Sequence, residues 1–223
     1  MSQYIVKVRS IKHITPDVLL IVTDKPEQFY FTPGQATEVI INKPEWKDKK
    51  RPFTFTCLPG RDYLEFIIKT YPSHNGVTNE LLQLKTDDEL IIHPAFGAIV
   101  YKGEGVFIAG GAGITPFIAI LRHLQSRNEL GKNKLIFSNK TKEDIILAQE
   151  LKYLLGSNFI NILSEEKTKD YPNGYITEEF LSKYVTKTVT NIYVCGPPPM
   201  MEAVEQQLSD MDVAKDIITK EKL

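Results

Sequence analysis

The stretch VFIAGGAGITPFIAIL, residues 106–121, decides the reading of the chain. An apolar run meets three glycines in four positions, and a second apolar run follows. A Gly-x-Gly-x-x-Gly nucleotide turn beginning at Gly111 would need a glycine at position 116, where Pro116 stands. The proline fits another geometry. Thr115 is placed as N-cap and Pro116 at N1, where the missing N–H costs no helical bond. Phe117, Ile118, Ile120, Leu121 and Leu124 then form an apolar helical stripe. Gly110, Gly111 and Gly113 let backbone approach a ligand and expose amides at the positive end of a helix, a seat for an anionic diphosphate. A tight strand–helix turn with no ligand is the plain alternative for this segment alone.

Outward from this turn, residues 101–223 alternate strand and helix. Strands are expected at Val106–Ala109, Leu135–Phe137, Phe159–Leu163, Asn191–Cys195 and Asp216–Thr219. Helices are expected at Pro116–Gln125, Lys142–Leu155, Thr177–Tyr184 and Pro199–Met211. That alternation predicts a parallel sheet covered on both faces, an α/β nucleotide-binding domain. Residues 1–100 follow a different pattern. Short runs at Tyr4–Arg9, Thr37–Ile41, Phe53–Leu58 and around Leu64–Ile68, punctuated by Pro and Gly, predict an antiparallel β-barrel with one helical insertion near Thr78–Leu84. The segment YKGEG, 101–105, reads as the linker between two domains. At the last long strand, YVCGPPPMMEAV (193–204) makes a second stiff turn, with Cys195 at the strand's carboxyl end and Met200, Val204 and Leu208 as the stripe of the next helix. For Cys195 the plain reading is a small buried hydrophobe.

The 223 residues carry a formal net charge of −1 and 42% hydrophobic residues. No global field recruits nucleic acid or an anionic membrane. No apolar run approaches the roughly 18 residues of a spanning helix, and MSQYIVKVRS lacks a signal-peptide core. A cytoplasmic protein with no membrane or nucleic-acid partner is expected. Two cysteines do not supply the four ligands of an iron–sulfur cluster. His13, His74, His93 and His123 have no metal-ligand spacing, so no metal is expected.

GGAGITP (110–116) and CGPPPM (195–200) resemble the two nicotinamide-nucleotide signatures of the ferredoxin–NADP reductase family. In the first half RPFT (51–54) resembles the family's Arg-x-aromatic-Ser/Thr flavin motif. PGQ (33–35) resembles its barrel turn, IIKTY (67–71) with VTNEL (77–81) its pyrophosphate segment, and AFG (95–97) the segment closing the barrel. The motifs stand in the family's order over nearly the whole chain.

The resemblance implies FAD in the barrel and NADP or NAD on the sheet, with hydride passing from nicotinamide to flavin and electrons onward to a flavodoxin, a ferredoxin or an oxygenase component. It gives Arg51 a phosphate, Pro52 and Phe53 the flavin, Phe53 standing where the family more often has Tyr, and Thr54 the ring's N5 region. Strand parity puts Phe53 and Thr54 on opposite faces, so spacing alone does not bring both to one ring. Ile68, Lys69, Tyr71, Asn75, Gly76, Val77 and Thr78 are expected around the FAD phosphates, with Thr78 capping a helix. Either Asn75 at positive φ or Gly76 after a one-residue deletion fills the family's glycine slot. Gly110, Gly111, Gly113, Thr115, Gly196 and Pro197 would line the nicotinamide nucleotide, and Cys195 would border its ring. Glu221 and Leu223 occupy the family's terminal Glu-x-aromatic. At the second strand of the sheet, Ser138, Asn139, Lys140 and Lys142 suggest a 2′-phosphate and so NADPH, against a solvated lysine loop. The basic run EWKDKKR (45–51) offers an acidic partner a landing place, against a solvated loop. A free-flavin reductase, and a regulatory or electron-transfer subunit inactive alone, are the rival readings.

Overall fold

The computed structural model describes residues 2–71, 73–97 and 99–220. Six antiparallel strands make a barrel-like sheet: β1 (Tyr4–Thr15), β2 (Val18–Asp24), β3 (Ala36–Ile41), β4 (Arg51–Thr54), β5 (Tyr63–Lys69) and β6 (Glu89–Ile92), in the order β4-β3-β6-β1-β2-β5. β1 serves both sides of the turn in the sheet. Tyr4–Lys7 pairs with β6 and Val8–Thr15 with β2, with register shifts between Val8 and Ser10 and between His13 and Thr15. Such bulges bend a strand, which is what closing a sheet requires. The seam between the edge strands is drawn together at Phe55, which bridges to Phe66, and at Thr56, whose N–H donates to the Glu65 carbonyl.

The expected strand 53–58 therefore divides. β4 ends at Thr54, and the residues after it leave β3 for β5. β2 and β6 are absent from the sequence reading, because VLLIV has no period-2 alternation and ELII is short. β2 and β5 are apolar on both faces for a structural reason. Leu19, Ile21, Phe66 and Ile68 fill the barrel, while Val18, Leu20 and Ile67 on the opposite face join the core built by the second half.

That second half is a parallel sheet of β7 (Val106–Gly110), β8 (Lys134–Asn139), β9 (Phe159–Leu163), β10 (Ile192–Cys195) and β11 (Ile218–Lys220), in the order β11-β10-β7-β8-β9. Helices α2 (Thr115–Ser126), α3 (Ala148–Leu155), α4 (Glu178–Leu181) and α5 (Pro198–Asp210) lie between its strands, and α1 (Val77–Glu80) belongs to the barrel. One face carries Phe107, Phe117, Leu121 and Phe137, the other Ile108, Val194, Val204 and Leu208. Among the described residues no helix is long and apolar enough to cross a membrane.

The expected helix 142–155 is two pieces, a 3₁₀ turn at Lys142–Asp144 and α3. Between them Ile145 and Ile146 are pulled into the core, and Leu147 turns left-handed at φ 51°. The 101–105 segment is no loose linker. The Tyr193 hydroxyl accepts from the N–H groups of Lys102 and Gly103 and donates to the Gly103 carbonyl. In α5 the buried stripe is Met201, Val204 and Leu208, with Met200 turned toward the glycine turns instead.

Cys57 lies in the barrel core, 2% exposed, and burial pushes its thiol from 9.0 up to about 11. The unfolded thiol ionises first, so between these values the unfolded chain holds fewer protons and stability falls as pH rises. The unfolding free energy from denaturant titration is expected to drop from pH 9 to 11 by up to about 2 kcal/mol more in the parent than in Cys57→Ala. Equal slopes in the two proteins would remove this assignment.

Candidate functional site

The carboxyl edge of the parallel sheet faces the rim of the barrel across a cleft of about 590 Å³. From the barrel come Pro52, Phe53, Thr54, Ile68, Lys69, Tyr71 and Thr78. From the sheet come Gly110, Gly111, Gly113, Thr115, Cys195, Gly196 and Pro197. A second, smaller recess beside it is lined by Arg51, Tyr71, His74, Asn75, Gly76, Val77 and Thr78. Tyr71 and Thr78 belong to both. Glu221 and Leu223 lie outside the described residues.

The two glycine turns interlock. A Cβ on Gly113 would sit 2.3 Å from the Cys195 carbonyl oxygen and 2.6 Å from the Gly196 Cα. A Cβ on Gly110 or Gly196 would meet the Met200 side chain at 2.4 and 2.8 Å. Gly113 is thus required by the approach of the second turn. Gly111 is required by its own backbone, φ +50° with open space around it.

Entry into α2 differs from the sequence expectation. A 3₁₀ turn, Gly111–Ile114, runs straight into the helix, so Thr115 is already helical and is not the N-cap. Its hydroxyl donates to the Ala112 carbonyl at 3.1 Å. Pro116 follows one place later in the first turn, where an N–H is still dispensable. The Thr115 N–H is taken by the Ala112 carbonyl and Pro116 has no N–H, so at the positive end of this 12-residue helix it is the backbone of the Gly111–Gly113 turn that lines the cleft.

The loop before α1 also differs from the sequence expectation. Gly76, extended at φ −113° and ψ 178°, is the N-cap of α1, and Thr78 makes no capping bond. Neither Asn75 nor Gly76 takes a positive φ. The loop reaches its shape without a left-handed residue, so the glycine slot is a matter of space: a Cβ on Gly76 would touch nothing within 4 Å. The side chains of Ile68 and Val77 pack in the barrel core, which fixes the strand and the loop behind the polar rim.

Phe53 and Thr54 both reach the cleft despite their parity, because β4 is an edge strand at the rim and both residues are half-buried. Arg51 is exposed and donates to the Lys50 carbonyl. Among the described residues no carboxylate holds its guanidinium, whereas Lys50 is paired with Glu38, Lys43 with Glu80, and Lys69 with Asp17 at 2.5 Å. An unneutralised arginine beside a loop of small residues is the chemistry of a phosphate seat.

Ala36, Asp144, Ser164 and Tyr175 line the wall from outside every motif, while Ile67, Ala112, Pro198 and Met200 line it from within them. Asp144 closes the 3₁₀ turn Lys142–Asp144, and Tyr175 sits in an irregular segment with no motif. The proximity of β8 and β9 was the one available signal for Ser164. Among the described residues no group of three His, Cys, Asp or Glu is placed to hold a metal ion.

The family model described as an FAD-binding domain matches residues 3–135, and that described as an oxidoreductase NAD-binding domain matches residues 107–206. The chain is 29% identical to an NADH-cytochrome b5 reductase 2 of Mycosarcoma maydis, over 88% of this chain and 62% of that protein. It is also 29% identical to the reductase component of a propane 2-monooxygenase of Mycolicibacterium smegmatis, over 86% and 59%. It spans about six-tenths of the length of these curated relatives. In fold it is similar to the crystal structure of a ferredoxin NADP+ reductase from Neisseria gonorrhoeae with bound FAD and NADP. The TM-score is 0.85 at 20% identity, covering 99% of this chain and 98% of the other.

Proposed function

We infer the function from one premise: the chain belongs to the FAD-binding domain family, carried here together with an oxidoreductase NAD-binding domain. The reading is an NAD(P)H-dependent flavoprotein reductase that serves a partner redox protein, either an oxygenase component or a small carrier such as flavodoxin, ferredoxin or cytochrome b5. We assign residues 1–100 to the flavin and 101–223 to the nicotinamide nucleotide. The observation that carries this is the single cleft in which the rim of β4 and both glycine turns meet. When bound, the flavin supplies the conversion of a two-electron hydride donor into one-electron steps.

The protein's part is placement. Arg51 and the open loop at Gly76 hold the diphosphate of one cofactor. Phe53 lends an apolar ring face and Thr54 a polar group beside it. The backbone of the Gly111–Gly113 turn, at the positive end of α2, would take the diphosphate of the other cofactor. Cys195 and Gly196 would border the nicotinamide ring. At 4% exposure, Cys195 offers an apolar, water-poor wall.

The purified protein, reconstituted with FAD, is expected to show flavin absorbance that bleaches on anaerobic addition of NADH or NADPH. A protein that binds no FAD refutes the reading. Tightly held flavin that neither nucleotide reduces would point to an electron-transfer subunit inactive alone. Arg51→Ala is expected to weaken FAD binding about 10- to 100-fold, as loss of a charge-assisted phosphate contact does, without lowering the melting temperature of the FAD-free protein. Unchanged FAD affinity would take Arg51 out of the site.

A further inference from the structure

We propose that the outer end of the cleft is built for a nucleotide ribose with a free 2′-hydroxyl, so that NADH is preferred over NADPH, with Glu165 and Asp144 setting the preference. The inference rests on the reading above and reverses the expectation from Ser138, Asn139, Lys140 and Lys142.

The wall at this end consists of Ser138, Asn139, Lys140, Asp144, Ser164 and Tyr175. Lys140 is the lysine of the 138–144 loop that lines the cleft, and it is already engaged. Glu165, at the exit of the neighbouring strand, binds its ammonium at 2.9 Å, and that bond holds the lysine's pKa above its ordinary value. Lys142 does not line the cleft and is turned toward the acids of the next loop. Its N–H donates to Glu166 and its ammonium lies 3.8 Å from Asp170. Asp144 is the charged wall residue left. Its Oδ2 accepts from both the N–H and the hydroxyl of Thr141 at 2.8 Å, and Oδ1 takes no part in that capping box. A dianionic 2′-phosphate here would meet a fixed carboxylate and one lysine already neutralised. A ribose hydroxyl would meet an acceptor.

The test uses ADP-ribose and 2′-phospho-ADP-ribose as probes, with binding to the FAD-loaded protein read by calorimetry. ADP-ribose is expected to bind at least about tenfold more tightly. Glu165→Gln, an exposed and conservative change, should narrow the gap about threefold by strengthening the phosphorylated ligand alone. Tighter binding of the phosphorylated probe to the parent overturns the proposal, as does a tenfold loss of that probe in Lys140→Ala. Either result leaves the reductase reading intact. If neither probe binds, the nucleotide half of that reading falls too.

Discussion

Gly113→Ala is expected to lower nucleotide-dependent flavin reduction by about 100-fold and to depress the melting temperature by roughly 5–10 °C. The reason is what stands opposite. The new methyl group meets the Cys195 carbonyl oxygen at 2.3 Å and its carbon at 2.5 Å, both backbone atoms on a strand end. No rotamer relieves that clash, so the turns after β7 and β10 must part at the place where the nicotinamide end of the cleft is formed. Two neighbouring glycines give the controls. Gly111→Ala meets no atom within 4 Å and carries only the backbone cost of φ +50°, about 1 kcal/mol. Gly110→Ala meets Met200, a flexible side chain, so Met200→Ala should rescue Gly110→Ala but not Gly113→Ala. Stopped-flow reduction and thermal melts read all five proteins. A Gly113→Ala protein as fast and stable as Gly111→Ala would show that the two turns do not interlock.

The second large effect is expected at Arg122, on α2. Its guanidinium reaches Glu65 of β5 at 2.6 Å, the Thr56 carbonyl at 2.8 Å and both carboxylate oxygens of Glu150, at 2.5 and 2.8 Å. It therefore ties the barrel to the sheet domain. Burial works most strongly against its charge, but Glu150 and Glu65 outweigh it and hold its pKa above the ordinary arginine value. Arg122→Met leaves Glu65, 8% exposed, as a buried carboxylate without its cation. Breaking one side of such a pair costs about 3–5 kcal/mol. Glu65→Gln added to Arg122→Met should recover around half of the loss, since the amide can still accept from Thr56. Urea unfolding of the single and double variants decides the matter. If Arg122→Met costs less than about 1 kcal/mol, the network is ornamental to stability.

The glycine turns and the strand–helix alternation of the second half were legible because strand, turn and helix each leave a local periodicity in 106–121 and 193–204. RPFT could be placed at the rim only through resemblance, since its parity argued against a shared face, and edge-strand exposure resolves that. β2 was illegible for a physical reason. A strand covered on both sides loses alternation, and VLLIV reports two neighbours at once. Arg122 carried no signal either, as an arginine on an amphipathic helix looks solvated until its partners from residues 56, 65 and 150 come together. The charge of Lys140 is visible in sequence, but its pairing with Glu165, an acid 25 positions later, is not.

Val18, Leu20 and Ile67 belong to a core whose other members are mostly contributed after residue 106. The barrel therefore emerges first from a ribosome with one oily flank bare, and it stays so until Phe117–Leu124 has been synthesised to cover it. Nascent chains stalled before that point carry a sticky patch, and a chaperone has its reason to linger there.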